Sequence, residues 1–503
     1  MNFANALKNI TNYTTTENGA LSYNTTGSAL YDLFALGSAF RTRSDDDCIL
    51  LFKKAFEEDE KYALKCLFYI RDAVEGQGER RFFRVCMKWL ANNHPDAVKR
   101  NMAYIPEIGG RWDDLYTFVD TPCQDSAFHL MKVQLASDIT SNTPSLLAKW
   151  LKSTNCSSQE SRDLGNRTRR YLGMTAKQYR KTLSMLRQKI NVLERLMSAN
   201  EWDKIKYDKI PSRAGFLYRQ AFARHDVERK EAGARTYEDF AKDTTTKVNA
   251  RVLYPYECVA EAFNIMNHWY SGSVPAPDDT KRLMTNKYWE NLHDYFNGAV
   301  FNGIAMIDTS GSMFGYEASA PINVAISLGL YCAEKAQGPY TGHFLTFSEH
   351  PNFVKVEGID FCDKVKRMLR NDWGMSTNVE SAFDLLLKIA IENHCAQEEL
   401  PENLIIISDM EFNGCCTSAR YGSSMNTLME KIRNKWLAYG YKMPKLVFWN
   451  VQARQNNIPM RDEDGITFVS GFSPVIYEMI MSGKTAKDLM YNKLDSERYS
   501  AIQ

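Results

Sequence analysis

The stretch GAVFNGIAMIDTSGSM, Gly298 to Met313, decides how this chain is read. From Ala299 to Ile307 it is mainly apolar, the pattern of a strand buried on both faces. Asp308-Thr309-Ser310-Gly311-Ser312 follows at once as a turn that draws on the flexibility of Gly311, and Ile322 to Ala336 then carries a helical stripe. Strand, loop and helix in that order make one unit of an α/β fold. Further short apolar strands are expected at Leu345 to Phe347, Leu404 to Ile407, Leu446 to Trp449 and Ile466 to Val469. Helical patterns lie between them at Asn378 to Asn393, Met425 to Tyr439 and Pro474 to Met481. Such alternation predicts a doubly wound, mostly parallel, Rossmann-like sheet with helices on both faces, in which ligands sit at the carboxyl ends of the strands. Asp308 closes the first strand, and Asp409 ends the strand from Leu404 to Ser408, so both are expected at one edge. Ser310 and Ser312 alternate in the first turn, and Gly374-Met375-Ser376-Thr377 offers the hydroxyl of Thr377 from a third loop. Donors that are all oxygen, two of them charged, suit Mg²⁺ or Mn²⁺ better than zinc. The plainer alternative is that these are ordinary turn and helix-capping residues, a role Ser, Thr and Asp favour for their own reasons.

Upstream of Gly298 the period changes. From about Ala29 to Phe296 the chain reads as helix after helix with short connections. Leu50, Leu51, Phe52, Ala55 and Phe56 keep one helical stripe, and Tyr62, Leu64, Leu67, Phe68 and Ile70 keep another, ended by Gly76-Gln77-Gly78. Arg81 to Leu90 gives a third, and Arg111 to Tyr116 resembles a helix start with acids in its first turn. Thr175 to Asn200 contains no Gly or Pro and predicts one continuous helix burying Leu183, Leu186, Ile190, Leu193 and Leu196. Paired helices of this kind predict a degenerate, HEAT-like helical repeat. The expected organisation is therefore multidomain: a polar segment at 1–28, an all-α region at 29–297, the α/β domain at 298–482 and a tail at 483–503.

A chain of 503 residues is too long for one core, and 44% hydrophobic with 24% charged residues is an ordinary soluble composition. No apolar run has the length to span a bilayer, and Met1 to Gly27 has no signal core, so the expected location is cytoplasmic with no membrane partner. The eleven cysteines, Cys415 and Cys416 included, show no C-x-x-C spacing and are expected to be reduced thiols. Net charge is +1, yet Leu146 to Lys230 holds 20 Lys plus Arg against 8 Asp plus Glu, a net +12 for that block alone. Clustered cations neutralise phosphates and release counterions, and interleaved aromatics such as Tyr171, Tyr179 and Trp202 can stack on unpaired bases. RNA is thus one expected partner, with Arg167, Arg169, Arg170, Lys177, Arg180, Lys181 and Arg187 as its contacts. A solvated helix face, or a surface for an acidic protein, remains the other reading of the same block.

The Asp308, Ser310, Ser312, Thr377 and Asp409 set resembles the metal-ion-dependent adhesion site of von Willebrand factor A domains. That resemblance implies a Mg²⁺ or Mn²⁺ cofactor whose open position takes an acidic group from a protein partner, and it implies no enzyme. Three further segments, Arg71-Asp72 with Gly76-Gln77-Gly78-Glu79-Arg80, Gly110-Arg111-Trp112-Asp113-Asp114-Leu115, and Ser145-Leu146-Leu147-Ala148-Lys149-Trp150-Leu151, resemble the TROVE-like helical module of the Ro autoantigen family, more closely an uncharacterised TROVE-like family of plant and viral proteins. This implies a ring of helical repeats that binds noncoding RNA. From residues alone, Arg80, Arg111 and Trp112 are expected in salt bridges and packing. The leading expectation is a noncatalytic RNA-binding scaffold. The alternatives are a protein-only metal-dependent adaptor and, more remotely, a metal-dependent phosphoesterase. Ser482-Gly483-Lys484-Thr485 is not a phosphate loop, because Glu478 stands where the first Gly is needed.

Overall fold

A computed structural model describes residues 12–267, 273–315, 317–347, 351–368, 378–412, 428–459, 466–481 and 485–503. The chain forms two compact units, each built from two separated stretches: Met1–Ala63 with Ala250–Ser496, and Leu64–Asn249 with Glu497–Gln503. Compactness therefore divides the molecule differently from the boundary expected near residue 297.

The first unit begins with a hairpin of β1 (Tyr13–Thr15) and β2 (Leu21–Tyr23), antiparallel, with Tyr13 opposite Tyr23. Its turn needs the left-handed φ of +83° at Gly19. The hairpin is tied into the unit by reciprocal backbone hydrogen bonds between Tyr23 and Ile458, at 2.9 and 2.8 Å. Helix Ala29–Leu36 starts at Ser28, whose hydroxyl accepts from the Tyr31 amide. The buried Tyr31 hydroxyl in turn accepts from the Phe468 amide at 2.9 Å. Residues expected to be a polar segment and the first repeat thus complete the sheet domain.

The sheet itself contains β3 (Gly303–Asp308), β4 (His343–Phe347), β5 (Asn352–Lys355), β6 (Asn403–Ser408), β7 (Lys445–Asn450) and β8 (Ile466–Ser470), in the order β5-β4-β3-β6-β7-β8. All neighbours are parallel except β4 and β5. Every residue of β3 is buried, which is why it reads as an unbroken apolar run. The chain runs outward from β3 to β5 and then returns to lay β6 on the other side of β3. The switch point of the sheet therefore lies between β3 and β6, whose ends carry Asp308 and Asp409. Helix Pro321–Lys335 packs tightly behind, since a Cβ at Gly329 would stand 2.2 Å from the Ile307 side chain. The strand is shorter than expected at its start: Val300 is 76% exposed, and the Phe301 ring lies where a Gly303 side chain would be.

The second unit is helical, with no strand among its described residues. The expected single helix from Thr175 to Asn200 is two. Ala176–Lys189 opens on a Thr175/Gln178 capping box, Asn191 takes a left-handed φ of 51°, and Leu193–Ser198 follows. The segment at Arg111 becomes a tight 3-10 helix, Trp112–Phe118. The last residues close this unit: the Arg498 guanidinium holds the buried Asp72 carboxylate, the Tyr499 hydroxyl donates to it at 3.0 Å, and the Gln503 amide donates to Asn101. The expected tail is thus ordered, with helix Ala486–Leu494 before it. The nine described cysteines are free, and Cys415 and Cys416 lie outside the described residues.

Candidate metal loop and basic face

At the carboxyl end of β3, the Asp308 carboxylate accepts from the Ser310 amide at 2.9 Å and from the Ser408 hydroxyl, at the end of β6, at 2.5 Å. The Ser310 and Ser312 hydroxyl oxygens are 3.1 Å apart. Asp409 accepts from the Glu411 amide at 3.2 Å through Oδ1. Its Oδ2 is buried with no hydrogen-bond partner. Asp308, Ser310 and Asp409 are all essentially inaccessible. Burial, with Asp409 beside it, drives the Asp308 pKa well above the usual Asp range, and burial also raises that of Asp409. Four of the five expected ligands therefore gather at the sheet's switch point, while Thr377 lies outside the described residues.

Three residues that sequence reasoning missed complete the surroundings. Arg454 places Nε 3.7 Å from Asp409 Oδ2 and donates from Nη2 to the Ser312 carbonyl at 2.5 Å. Glu411, pushed up to about 7 by burial, accepts from the Asn457 side chain and from the Glu17 amide. Glu17 also meets Arg454 Nη1 at 3.4 Å. Arg454 and Glu17 come from opposite ends of the chain, so no local pattern connects them. The positive φ of 65° at Met410 turns the backbone sharply between Asp409 and Glu411 and is rare for a side chain of this size.

The donor set fits a hard divalent cation. It is made only of oxygen, it includes a buried carboxylate oxygen with nothing to accept from, and it crowds two acids together. Arg454 is the one positive group the described residues bring to Asp409 by an ion pair, and it approaches from 3.7 Å without a hydrogen bond to that oxygen. Among the described residues, this loop included, no group of three or more His, Cys, Asp or Glu has a metal-binding arrangement, so any cation here would depend on the hydroxyls of Ser310 and Ser312 beside the two acids.

In the second unit the basic block divides sharply. Arg187 is used internally: its guanidinium donates to the Ala148 and Leu151 carbonyls at 2.8 and 2.9 Å and to Ser153 Oγ at 3.2 Å. Arg169 donates to Asn166 and to the Met174 carbonyl, and Arg167 pairs with Asp120 at 2.6 Å. By contrast Arg170, Lys177, Arg180 and Lys181 are exposed, on helices Gln159–Tyr171 and Ala176–Lys189. None of these four forms an ion pair with a described residue. The aromatics expected to stack on bases are occupied. Tyr179 is fully buried and donates to the Lys152 carbonyl, Trp202 is buried and stacks on His225 at 3.8 Å, and Tyr171 packs on Phe128. Tyr179 and Trp202 are buried and Tyr171 is half-buried against Phe128, so none of the three is a free stacking platform.

A family model described as a domain of unknown function (DUF2828) matches residues 16–123 and 133–296, and another, a domain of unknown function (DUF7788), matches residues 302–500. Uncharacterized protein L728 of Acanthamoeba polyphaga mimivirus is 31% identical over 511 residues, an alignment that covers 94% of this chain and 85% of the viral protein. Among solved structures, that of the Deinococcus radiodurans RO (RSR) protein aligns at a TM-score of 0.46 and 12% identity, over 94% of this chain and 100% of that one.

Proposed function

The chain belongs to the DUF2828 family, and from that premise we propose that it is a noncatalytic RNA-binding scaffold whose sheet domain recruits a partner through a divalent cation. The observation that carries the RNA reading is the set of four exposed cations without ion pairs, Arg170, Lys177, Arg180 and Lys181, on two helices adjacent in sequence. Among the described residues no acid pairs with them, and only Arg180 spends a donor, on the Ala176 carbonyl at 3.3 Å, so phosphates can release the counterions they hold. The Ro-like sequence motifs at Arg71, Gly110 and Ser145 point the same way. Arg187 is not part of this surface, and Arg167 and Arg169 contribute less than their charge implies.

The sheet domain reads as a von Willebrand A-type fold. In support stand the strand order, which is 3-2-1-4-5-6 when counted from β3 as the first, and the Asp-x-Ser-x-Ser loop at its switch point. Asp308, Ser310, Ser312 and Asp409 would hold Mg²⁺ or Mn²⁺, with Thr377 assigned by sequence alone. Bound there, the ion supplies a Lewis-acidic position for an acidic side chain or a phosphate oxygen. Asp308 and Asp409 neutralise it, Ser408 orients Asp308, and burial keeps water from competing. A hydrolytic role finds little here: Glu317 is exposed, and Glu411 is held by Asn457 and the Glu17 amide.

The deciding experiment is an electrophoretic shift with mixed cellular RNA, comparing wild type with a variant carrying Arg170→Glu, Lys177→Glu, Arg180→Glu and Lys181→Glu. Salt-sensitive binding by wild type alone supports the scaffold. Absence of binding by either leaves the protein-only adaptor, which the internal use of Arg187 and the pairing of Arg167 and Arg169 with neighbouring residues favour. A pull-down with nuclease-treated protein, with and without Mg²⁺, then tests it.

A further inference from the structure

The motif residues around Arg80 do not all settle into salt bridges. In the helical unit, Asp113 receives both Nε and Nη2 of Arg111, at 2.8 and 2.6 Å, and Arg84 Nη2 at 3.3 Å. Asp114 receives Arg71 Nε at 2.8 Å and Arg84 Nε at 2.7 Å. Asp72 belongs to Arg498, and the Glu79 carboxylate caps the amides of Arg81 and Phe82. Each of these nearby acids is thus engaged, and one guanidinium is left over. Arg80 forms no hydrogen bond or ion pair with any described residue, and its Nε is buried without an acceptor.

Position makes this more than a stray side chain. Arg80 is the first residue of helix Arg80–Asn93, one turn before Arg84, so the two project from the same face. Arg84 and Arg111 share the Asp113 carboxylate and are thereby one cluster, close enough to Arg80 to repel its charge, and both keep part of their side chain open to solvent at 34% and 25%. The Arg111 guanidinium sits over the Trp150 ring, its Cζ 3.8 Å from the ring centroid, and its two bonds to Asp113 fix its orientation. Burial together with the repulsion of Arg111, Arg71 and Arg84 brings Arg80 down to about 10. An arginine held among like charges, half-buried, with an unmet donor, asks for an oxyanion that its planar fork can take in two bonds.

We propose that Arg80, flanked by Arg84 and Arg111, forms a binding site for a phosphate oxyanion on the helical unit. The site uses none of the exposed cations at 170–181 and does not rest on the RNA reading. A phosphate group reaches it either as a free or small-molecule phosphate or as part of a polynucleotide backbone.

The test uses the full chain, with thermal unfolding followed against inorganic phosphate and against chloride at equal ionic strength. Wild type is expected to gain stability from phosphate beyond chloride. Arg80→Gln should raise the half-saturating phosphate concentration about tenfold or more, as loss of charge-assisted bonds implies, and Arg80→Lys, which keeps the charge without the fork, should recover part of it. Equal phosphate responses in wild type and Arg80→Gln overturn the proposal. Should Arg80→Gln fail to fold, phenylglyoxal labelling of wild type mapped to Arg80 replaces it: slowing by phosphate supports the site, and no slowing overturns it. A polyuridine oligonucleotide separates the two sources. A salt slope smaller by about one in Arg80→Gln identifies a backbone phosphate, and an unchanged slope with a phosphate response identifies a small ligand.

Discussion

The two units treat buried acids in opposite ways. In the helical unit Asp72, Asp113 and Asp114 are withdrawn from water, yet each is met by at least one guanidinium at hydrogen-bond distance. In the sheet unit Asp308 and Asp409 are buried as deeply, but their nearest cation, Arg454, reaches only 3.7 Å from one oxygen, and that oxygen accepts no hydrogen bond. An acid neutralised within its own fold is a structural fastening. An acid buried without such neutralisation keeps a standing preference for a cation from outside. Location in a cleft would not have separated the two cases, but the census of partners does.

The sharpest way to break this comparison is to remove a fastening. Arg498→Ala leaves Asp72 buried with only the Tyr499 hydroxyl and local amides, and should cost the helical unit about 3 kcal/mol in a denaturant melt. A loss below about 0.5 kcal/mol would put Asp72 in the same class as Asp308. Next in size is the metal response. Wild type should gain about 2.7 kcal/mol at a Mg²⁺ concentration a hundred times its Kd, and chelation should return it to baseline. Asp308→Asn should abolish that gain while leaving the chelated protein no less stable, because it removes one of two crowded charges. Equal Mg²⁺ responses in the two proteins would contradict the assignment of this loop.

Arg187→Ala should come third, losing about 2 kcal/mol through three unmade bonds to Ala148, Leu151 and Ser153, with the salt dependence of RNA binding unchanged. A change in that slope would return Arg187 to the binding surface. Smallest in stability is Lys181→Glu, expected within about 0.5 kcal/mol of wild type, although it should weaken RNA retention measurably. These last two variants together separate cations that hold the fold from cations that face a partner.

How much of this the sequence disclosed follows the same physics. Strands β3, β6, β7 and β8 were legible because burial on both faces leaves continuous apolar runs. Strand β5 is exposed along its length and carries no such run. The hairpin β1–β2 hid in a polar, Thr-rich segment whose partner, Ile458, lies far along the chain. Asp308, Ser310, Ser312 and Asp409 could be placed because a strand end is a fixed address. Arg454 and Glu17 could not, since only the folded chain brings them there. In the basic block charge was visible but its acceptors were not: Arg187 is consumed by backbone carbonyls, which have no signature in sequence. The break at Asn191 depends on a left-handed residue that Asn tolerates without advertising.

The interleaving of the two units also sets a timetable for synthesis. Ser22 meets its partner Ile458 only after 436 further residues have been made, a delay of roughly 20 to 90 s at about 5–20 residues per second. For that interval the nascent hairpin has no sheet to join, while the helical unit can collapse within the gap and wait for residues Glu497–Gln503 to latch it. A segment obliged to wait in water is best made of residues that water tolerates, and NYTTTENGALSYNTTGS, running from Asn12 to Ser28, is such a segment.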